Sequence, residues 1–245
     1  MTLADNVRPR SGGGSHDAGG PGASHGEAVT FSTEDLKLLH TIGSRMHFSR
    51  GETIFSEGDP ADYAYQIVSG AVRLCKHMAD GRRQIAQFLF PGHFFSFMDL
   101  TEHSFTAEAV NDAVLICYPL RQIERLEDER ASLRKNFSAM LSRRVRDIQN
   151  HLVTLGRQTA KERLASFLIV IIEHSHCKNG GTIEVPMSRQ DMADYLGLTI
   201  ETVCRVLSAM KKQGILGIPN LHQLVVKKVD ALYAIAGGEA SSRTS

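Results

Sequence analysis

The sequence has little of several things that would define other classes of protein. It holds four cysteines in 245 residues and a formal net charge of only +1. Cys75, Cys117, Cys177 and Cys204 lie far apart with no CxxC pair, which argues against a disulfide framework and against a zinc finger. The longest strongly apolar stretch, Leu164 to Ile172, is nine residues long and includes a serine. A membrane-spanning helix needs roughly 20. The first thirty residues lack the apolar core of a signal peptide, so a cytoplasmic protein without membrane contact is expected. There is no P-loop, no GxSxG and no HExxH, and His77, His93 and His103 form no recognisable metal set of a barrel enzyme, so no enzyme is expected. A net charge of +1 also speaks against a protein that coats nucleic acid by charge alone.

What is present is a core and a gradient. Hydrophobic residues make up 42% of the chain, enough to exclude a wholly disordered polymer. Residues 1–120 hold nine basic and fourteen acidic side chains, residues 121–157 nine and five, and residues 158–245 ten and eight. An acidic front and a basic back can mark a part that meets nucleic acid, or a solvated surface that varies by chance.

The chain divides into five parts. Residues 1–28 carry seven glycines between Gly12 and Gly26 and read as a disordered tail, as does the small polar segment 239–245. Residues 29–120 open with a helix capped by Ser32, with Asp35 at its third position and Phe31 stapled onto Leu36. Short β-type runs follow, cut by Gly, Asp and Pro, with Asp80-Gly81 as a hairpin turn. This pattern predicts an antiparallel sandwich or barrel. Residues 121–157 read as helix. Leu141, Val145, Ile148, Leu152 and Leu155 recur at gaps of four and three, which suits a core face or a dimer seam. The position of a long helix between two compact regions favours the seam.

Residues 158–238 contain the most specific segment, Ser188 to Gln213. Ser188 caps a helix whose inward face is Met192, Ala193 and Leu196. Gly197 makes a tight turn with Leu198 packed under it, and Thr199 caps a second helix with Val203, Val206, Leu207 and Met210 inward. This is a helix-turn-helix, whose second helix can enter the major groove from its N-terminal end. Ile215–Ile218 and Leu224–Val226, joined by a Pro219-Asn220 turn, form a wing. The outward positions are Ile200, Glu201, Cys204, Arg205 and Ser208. Arg205 can fork onto O6 and N7 of guanine, and Glu201 can accept from N4 of cytosine. Lys211 and Lys212 suit phosphates. The bland alternative is a solvated Glu201–Arg205 pair four residues apart, worth about 0.3–0.5 kcal/mol.

At this point LGLTIETVCR, with GETIFSEGDPADYAYQIVSGAVRL ahead of it, resembles the CRP/FNR superfamily of bacterial transcription regulators over about residues 31–237. The resemblance implies an α+β fold: an N-terminal antiparallel β-roll of cupin-like jelly-roll type, a long dimerisation helix and a C-terminal winged helix-turn-helix. The FNR-branch pattern E-x-x-[ST]-R falls on Glu201, Cys204 and Arg205, with Cys in place of Ser, and Ile200 stands where the CRP branch has another Arg. That implies a homodimer on a TTGAT-N4-ATCAA palindrome rather than a TGTGA-type site. It also implies activation through contacts with RNA polymerase, in a low-oxygen or nitrogen-fixation response.

Effector chemistry is expected to be absent. In the stretch Pro91 to Thr106, Phe105 stands where a cyclic-nucleotide cassette has its phosphate-binding Arg. Residues 1–74 hold no cysteine for an iron–sulfur cluster, and Cys117 falls one residue from the central ligand position, which on a strand turns the side chain to the other face. No histidine spacing singles out a haem ligand, and His93 and His103 read equally well as polar surface residues. The chain therefore resembles the FixK-type branch, with an effector-dependent regulator sensing a small molecule or haem ligand in the roll as the alternative. Cys75 and Cys177 read as small core or surface thiols. Cys204 lies beside Arg205 near the positive end of the helix dipole, where thiols are typically reactive. It is either a redox switch or a small contact residue replacing Ser.

Overall fold

The computed structural model describes residues 31–96, 101–175 and 181–237. Both tails, Cys177 and residues 97–100 of the cassette stretch lie outside the described residues.

Ser32 opens α1 (Thr33–Ile42), its hydroxyl accepting from the Asp35 N–H at 3.0 Å. Eight strands follow: β1 (Ser44–Phe48), β2 (Thr53–Phe55), β3 (Tyr63–Ser69), β4 (Val72–His77), β5 (Arg83–Leu89), β6 (Phe94–Phe95), β7 (Thr106–Ala109) and β8 (Ala113–Pro119). They make two antiparallel sheets, ordered β1-β8-β3-β6 and β2-β7-β4-β5. Both sheets contribute to one interior, which includes Phe48, Phe55, Tyr65, Ile67, Val72, Leu89, Phe95 and Leu115. This is the expected roll. β1 carries little signal in the sequence, because four of its five residues are exposed and it shows no apolar alternation.

The connection between β3 and β4 depends on Gly70. Its φ is +83°, and a Cβ there would sit 2.5 Å from the carbonyl oxygen of Asp112. Any side chain meets both backbone strain and a rigid clash.

The helical run after the roll is broken. α2 (Leu120–Glu129) ends at Arg130, and α3 (Ala131–Arg157) starts afresh. This corrects the single helix expected over residues 121–157. No Pro or Gly marks the break. Arg130 instead turns its guanidinium towards Glu34 at 3.4 Å and Asp35 at 4.0 Å, and the Ser132 hydroxyl donates to Asp35 at 3.1 Å. α1, α2 and the start of α3 bury Leu39, Ile123, Leu133 and Phe137 against the outer side of the first sheet. Further along α3 the seam residues emerge: Val145, Ile148 and Leu152 are exposed, Leu152 at 62%, while Leu141 and Leu155 are half-buried.

The C-terminal part comprises α4 (Ala160–His174), β9 (Thr182–Glu184), α5 (Arg189–Leu196), α6 (Ile200–Lys212), β10 (Leu216–Asn220), β11 (Gln223–Val226) and α7 (Val229–Ile235). α4 is apolar around most of its circumference because it lies between the roll and the rest of this domain. Its Leu164, Phe167, Leu168 and Ile172 are all buried. The wing turn is two residues later than expected. β10 continues through Asn220, whose side chain bonds the His222 N–H and Gln223, so Leu221-His222 forms the tip.

Only Gln158 and Thr159 separate α3 from α4, and both are tied. Gln158 donates to the Ala236 carbonyl at 3.3 Å and accepts from the Ser166 hydroxyl at 3.1 Å. Thr159 forms a capping box with Glu162.

Replacement of Gly70 by Ala is expected to lower stability by about 2 kcal/mol or more, combining positive φ with the clash. Thermal unfolding of Gly70→Ala beside a surface control checks this.

Candidate nucleic-acid interface

The helix-turn-helix forms as its caps dictate. Ser188 and Asp191 make a capping box at the head of α5. Gly197 adopts φ +61° and ψ +41°, the left-handed conformation that ends a helix sharply. The Thr199 hydroxyl accepts from the Thr202 N–H to start α6. Met192, Ala193, Leu196, Val203, Leu207 and Met210 are all buried. Val206 is only partly so, and Leu198 packs against this core.

Thr199, Ile200, Glu201, Cys204, Arg205, Ser208, Lys211 and Lys212 are exposed, as expected. Glu201 and Arg205 do not form the bland ion pair among the described residues. The Glu201 carboxylate turns back to its own backbone N–H and the Thr199 hydroxyl, which hold it below the usual carboxylate range. Arg205 reaches Thr202 Oγ1 at 3.5 Å. Among the described residues, both side chains thus sit at the exposed N-terminal half of α6 with no partner of opposite charge.

Sequence reasoning missed Arg189. At the head of α5, it lies close enough to Cys204 for the two to interact electrostatically. It also missed Arg163, whose guanidinium bonds the carbonyls of Gln158 at 3.0 Å, Leu196 at 3.0 Å and Leu155 at 2.7 Å. One side chain so joins the end of α3, the hinge and the end of α5, satisfying carbonyls that helix termini leave orphaned. A signal existed: Arg163 stands in the first turn of α4, where the helix dipole disfavours positive charge.

The reader is docked on the outer face of the β4–β5 hairpin. Arg83 Nη2 bonds Asp194 Oδ2 at 2.7 Å and also pairs with Asp191, while Arg73 Nη1 bonds Asp191 Oδ1 at 3.0 Å. Gln84 Nε2 donates to the Asp194 carbonyl at 2.6 Å. Beneath these polar bonds Phe88 packs on Phe167 and Tyr195, with ring centroids 5.8 and 5.2 Å apart. Tyr195 in turn stacks on His151 of α3 at 4.3 Å.

Neither sensor-region histidine is simply a surface residue. His93 Nε2 lies 3.1 Å from His174 Nε2, at the same joint. His103 is buried, stacked on Phe55 and bonded to Ser96. Cys117 faces the roll interior, its thiol pushed up to about 11 by burial.

Two family models match this arrangement: the cyclic nucleotide-binding domain over residues 45–130 and the Crp-like helix-turn-helix domain over residues 162–235. The nitrogen fixation regulation protein FixK of Bradyrhizobium diazoefficiens is 39% identical over 205 residues, 82% of this chain and 86% of that protein. The chain belongs to the FixK-like branch of the CRP/FNR superfamily. FixK of Rhizobium meliloti is 37% identical over 215 residues, 87% of this chain and 98% of its own. The solved structure of FixK2 from Bradyrhizobium japonicum matches with a TM-score of 0.75 and 35% identity, covering 82% of this chain and 99% of that one. A CRP-family regulator from Thermus thermophilus, at 23% identity and a TM-score of 0.67 over 80% of this chain and 99% of its own, shares the fold. The FixK-branch protein is a DNA-binding transcription regulator and not an enzyme. No helix among its described residues is long and apolar enough to cross a membrane.

Asp191 is the residue on which cap and dock meet. Burial alone would raise its carboxyl, but the Ser188 N–H and hydroxyl, with Arg73 and Arg83, more than offset this and hold it below its ordinary 3.8. Its contribution is therefore complete at neutral pH and lost only as acid takes the solution below about pH 3.8. Asp191→Asn is expected to cost about 2–3 kcal/mol at pH 7, near the lower edge for a buried pair because the arginines keep 15–20% exposure. Denaturant titration at pH 7 and pH 3 checks it: the difference between wild type and variant should shrink in acid.

Proposed function

We propose that this regulator acts as a cytoplasmic homodimeric activator that reads an FNR-like palindrome, TTGAT-N4-ATCAA, and works with RNA polymerase in a low-oxygen or nitrogen-fixation response. The observation that carries the reading is the outward face of α6, where Glu201, Cys204 and Arg205 stand exposed on a capped helix in the E-x-x-x-R spacing. The exposed stripe of Val145, Ile148 and Leu152 on α3 supplies the dimer contact, with Leu141 and Leu155 extending it. The names of the relatives support the biology: FixK proteins are nitrogen fixation regulators, and FnrL of Cereibacter sphaeroides, 28% identical, is a transcriptional activator protein.

In the mechanism, α6 enters the major groove N-terminus first. Arg205 forks onto guanine, Glu201 exchanges its own backbone N–H and Thr199 for a cytosine amino group, and Thr199 lies at the groove edge. Lys211 and Lys212 contact phosphate near the far end, with Ser208 and Ile200 flanking the bases. A C2 dimer places two such helices one helical turn apart. Selection from random duplexes should enrich the TTGAT-type palindrome, and a TGTGA-type or non-palindromic winner would overturn the reading. Arg205→Ala should cost about 1–3 kcal/mol per half-site and relax selection of guanine.

No cyclic nucleotide, iron–sulfur cluster or haem is required in this reading. The Phe105 ring, in place of the cassette Arg, lies under Lys76 Nζ at 5.6 Å. The roll interior is filled by the rings of Phe55, Tyr65 and Phe95. DNA affinity is accordingly expected without added ligand.

Cys204 is the candidate control point. It is exposed, with Arg189 near it in space and Arg205 next to it in sequence. Hydrogen peroxide takes the thiol to sulfinic or sulfonic acid, each oxygen atom transferred leaving one water, and the acid sets a negative charge against DNA phosphate. Peroxide should weaken DNA binding by the wild type at least tenfold and leave Cys204→Ser unchanged. Equal loss in both would sink the redox role and leave Cys204 as a contact residue.

A further inference from the structure

On β4 the residues Arg73, Cys75 and His77 alternate along the outer face, and Glu108 of β7 pairs directly with Arg73 in the register. The Cys75 sulfur, a His77 ring nitrogen and a Glu108 carboxylate oxygen all lie within 4.8 Å of one another. Cys75 is fully buried, Glu108 is half-buried and His77 is exposed. The cluster therefore has a floor, a wall and a mouth open to solvent.

Arg73 anchors Glu108 by two bonds, from Nε and Nη2, each 2.7 Å and both to Oε2. The carboxylate is thereby held in place much as outer contacts hold a metal ligand. Arg73 is itself balanced by Asp191 at 3.0 Å. A thiolate and a carboxylate would supply two negative charges against a divalent cation. Without a cation, the buried Cys75 thiol directs its proton to the Glu108 carboxylate. A cation that bonds sulfur replaces that proton, which leaves to solvent.

We propose that Cys75, His77 and Glu108 form a binding site for a thiophilic divalent cation of the zinc class. One sulfur, one imidazole nitrogen and one carboxylate oxygen are the donors such ions take in tetrahedral sites, with the fourth position filled by water from the exposed side. Hard ions such as Mg²⁺ and Ca²⁺ are selected against by the sulfur. The position gives the site a consequence: the ion fixes Glu108, Glu108 fixes Arg73, and Arg73 holds the Asp191 carboxylate that both caps α5 and docks the reader. Occupancy should therefore stabilise the docked arrangement.

The test is Co²⁺ titration of the reduced full chain in a Cys204→Ser background, which removes the one exposed thiol among the described residues. One equivalent should produce a sulfur-to-cobalt charge-transfer band that Zn²⁺ abolishes and Mg²⁺ does not. Zn²⁺ should also raise the unfolding temperature. His77→Ala, at an exposed position where folding is not at risk, should weaken Co²⁺ binding more than tenfold, and Cys75→Ser should remove the charge-transfer band. Absence of a saturable one-equivalent band, or a band that survives both Cys75→Ser and His77→Ala, would overturn the site.

Discussion

The carboxylate of Asp191 is the contact on which the rest of the arrangement depends. One of its oxygens accepts from the Ser188 N–H and hydroxyl and closes the cap of α5. The other meets Arg73 and Arg83 from the roll. The start of the helix-turn-helix and the docking of the whole reader thus share one side chain at 7% exposure. A change there cannot loosen the dock without also fraying the helix that supports α6. Asp194, by contrast, serves the dock and a neighbouring Gln190 but not the cap. The two acids make similar bonds to Arg83 and have different structural weight.

Features whose signal is local are legible in the residues themselves. Ser32, Ser188 and Thr199 all cap the helices assigned to them, because a cap needs only a side-chain oxygen and an N–H two or three residues on. Gly197 takes the left-handed turn, and Asp80-Gly81 ends its hairpin. The inward and outward faces of α6 follow from period alone, apart from Val206, which is only half-covered. For the interface residues this means that exposure is readable, while the retreat of Glu201 towards Thr199 is not, since it depends on a rotamer choice.

The parts that escape a reading of the sequence are those in which distant partners decide. Arg73 and Arg83 lie 118 and 108 residues from Asp191, and nothing in either neighbourhood announces the other. The break at Arg130 arises from α1, through Glu34 and Asp35, and not from any helix-breaking residue in the run itself. The wing turn moves because the Asn220 side chain makes its own turn two residues ahead, overriding the expectation attached to Pro219. His103 reads as a surface candidate because a histidine satisfied by a serine and an aromatic ring has no sequence signature.

The hinge at Gln158 and Thr159 has a consequence for how binding is driven. A flexible joint would leave the reader many orientations, and association with DNA would have to freeze them out, at the expense of affinity. Here the corner is locked by Arg163, by both ends of the Gln158 amide and by the Thr159 box. Most of that orientational entropy has been surrendered on folding, before any duplex arrives. A chain with so small a net charge depends on that preorganisation, since it has little long-range attraction to offer in its place.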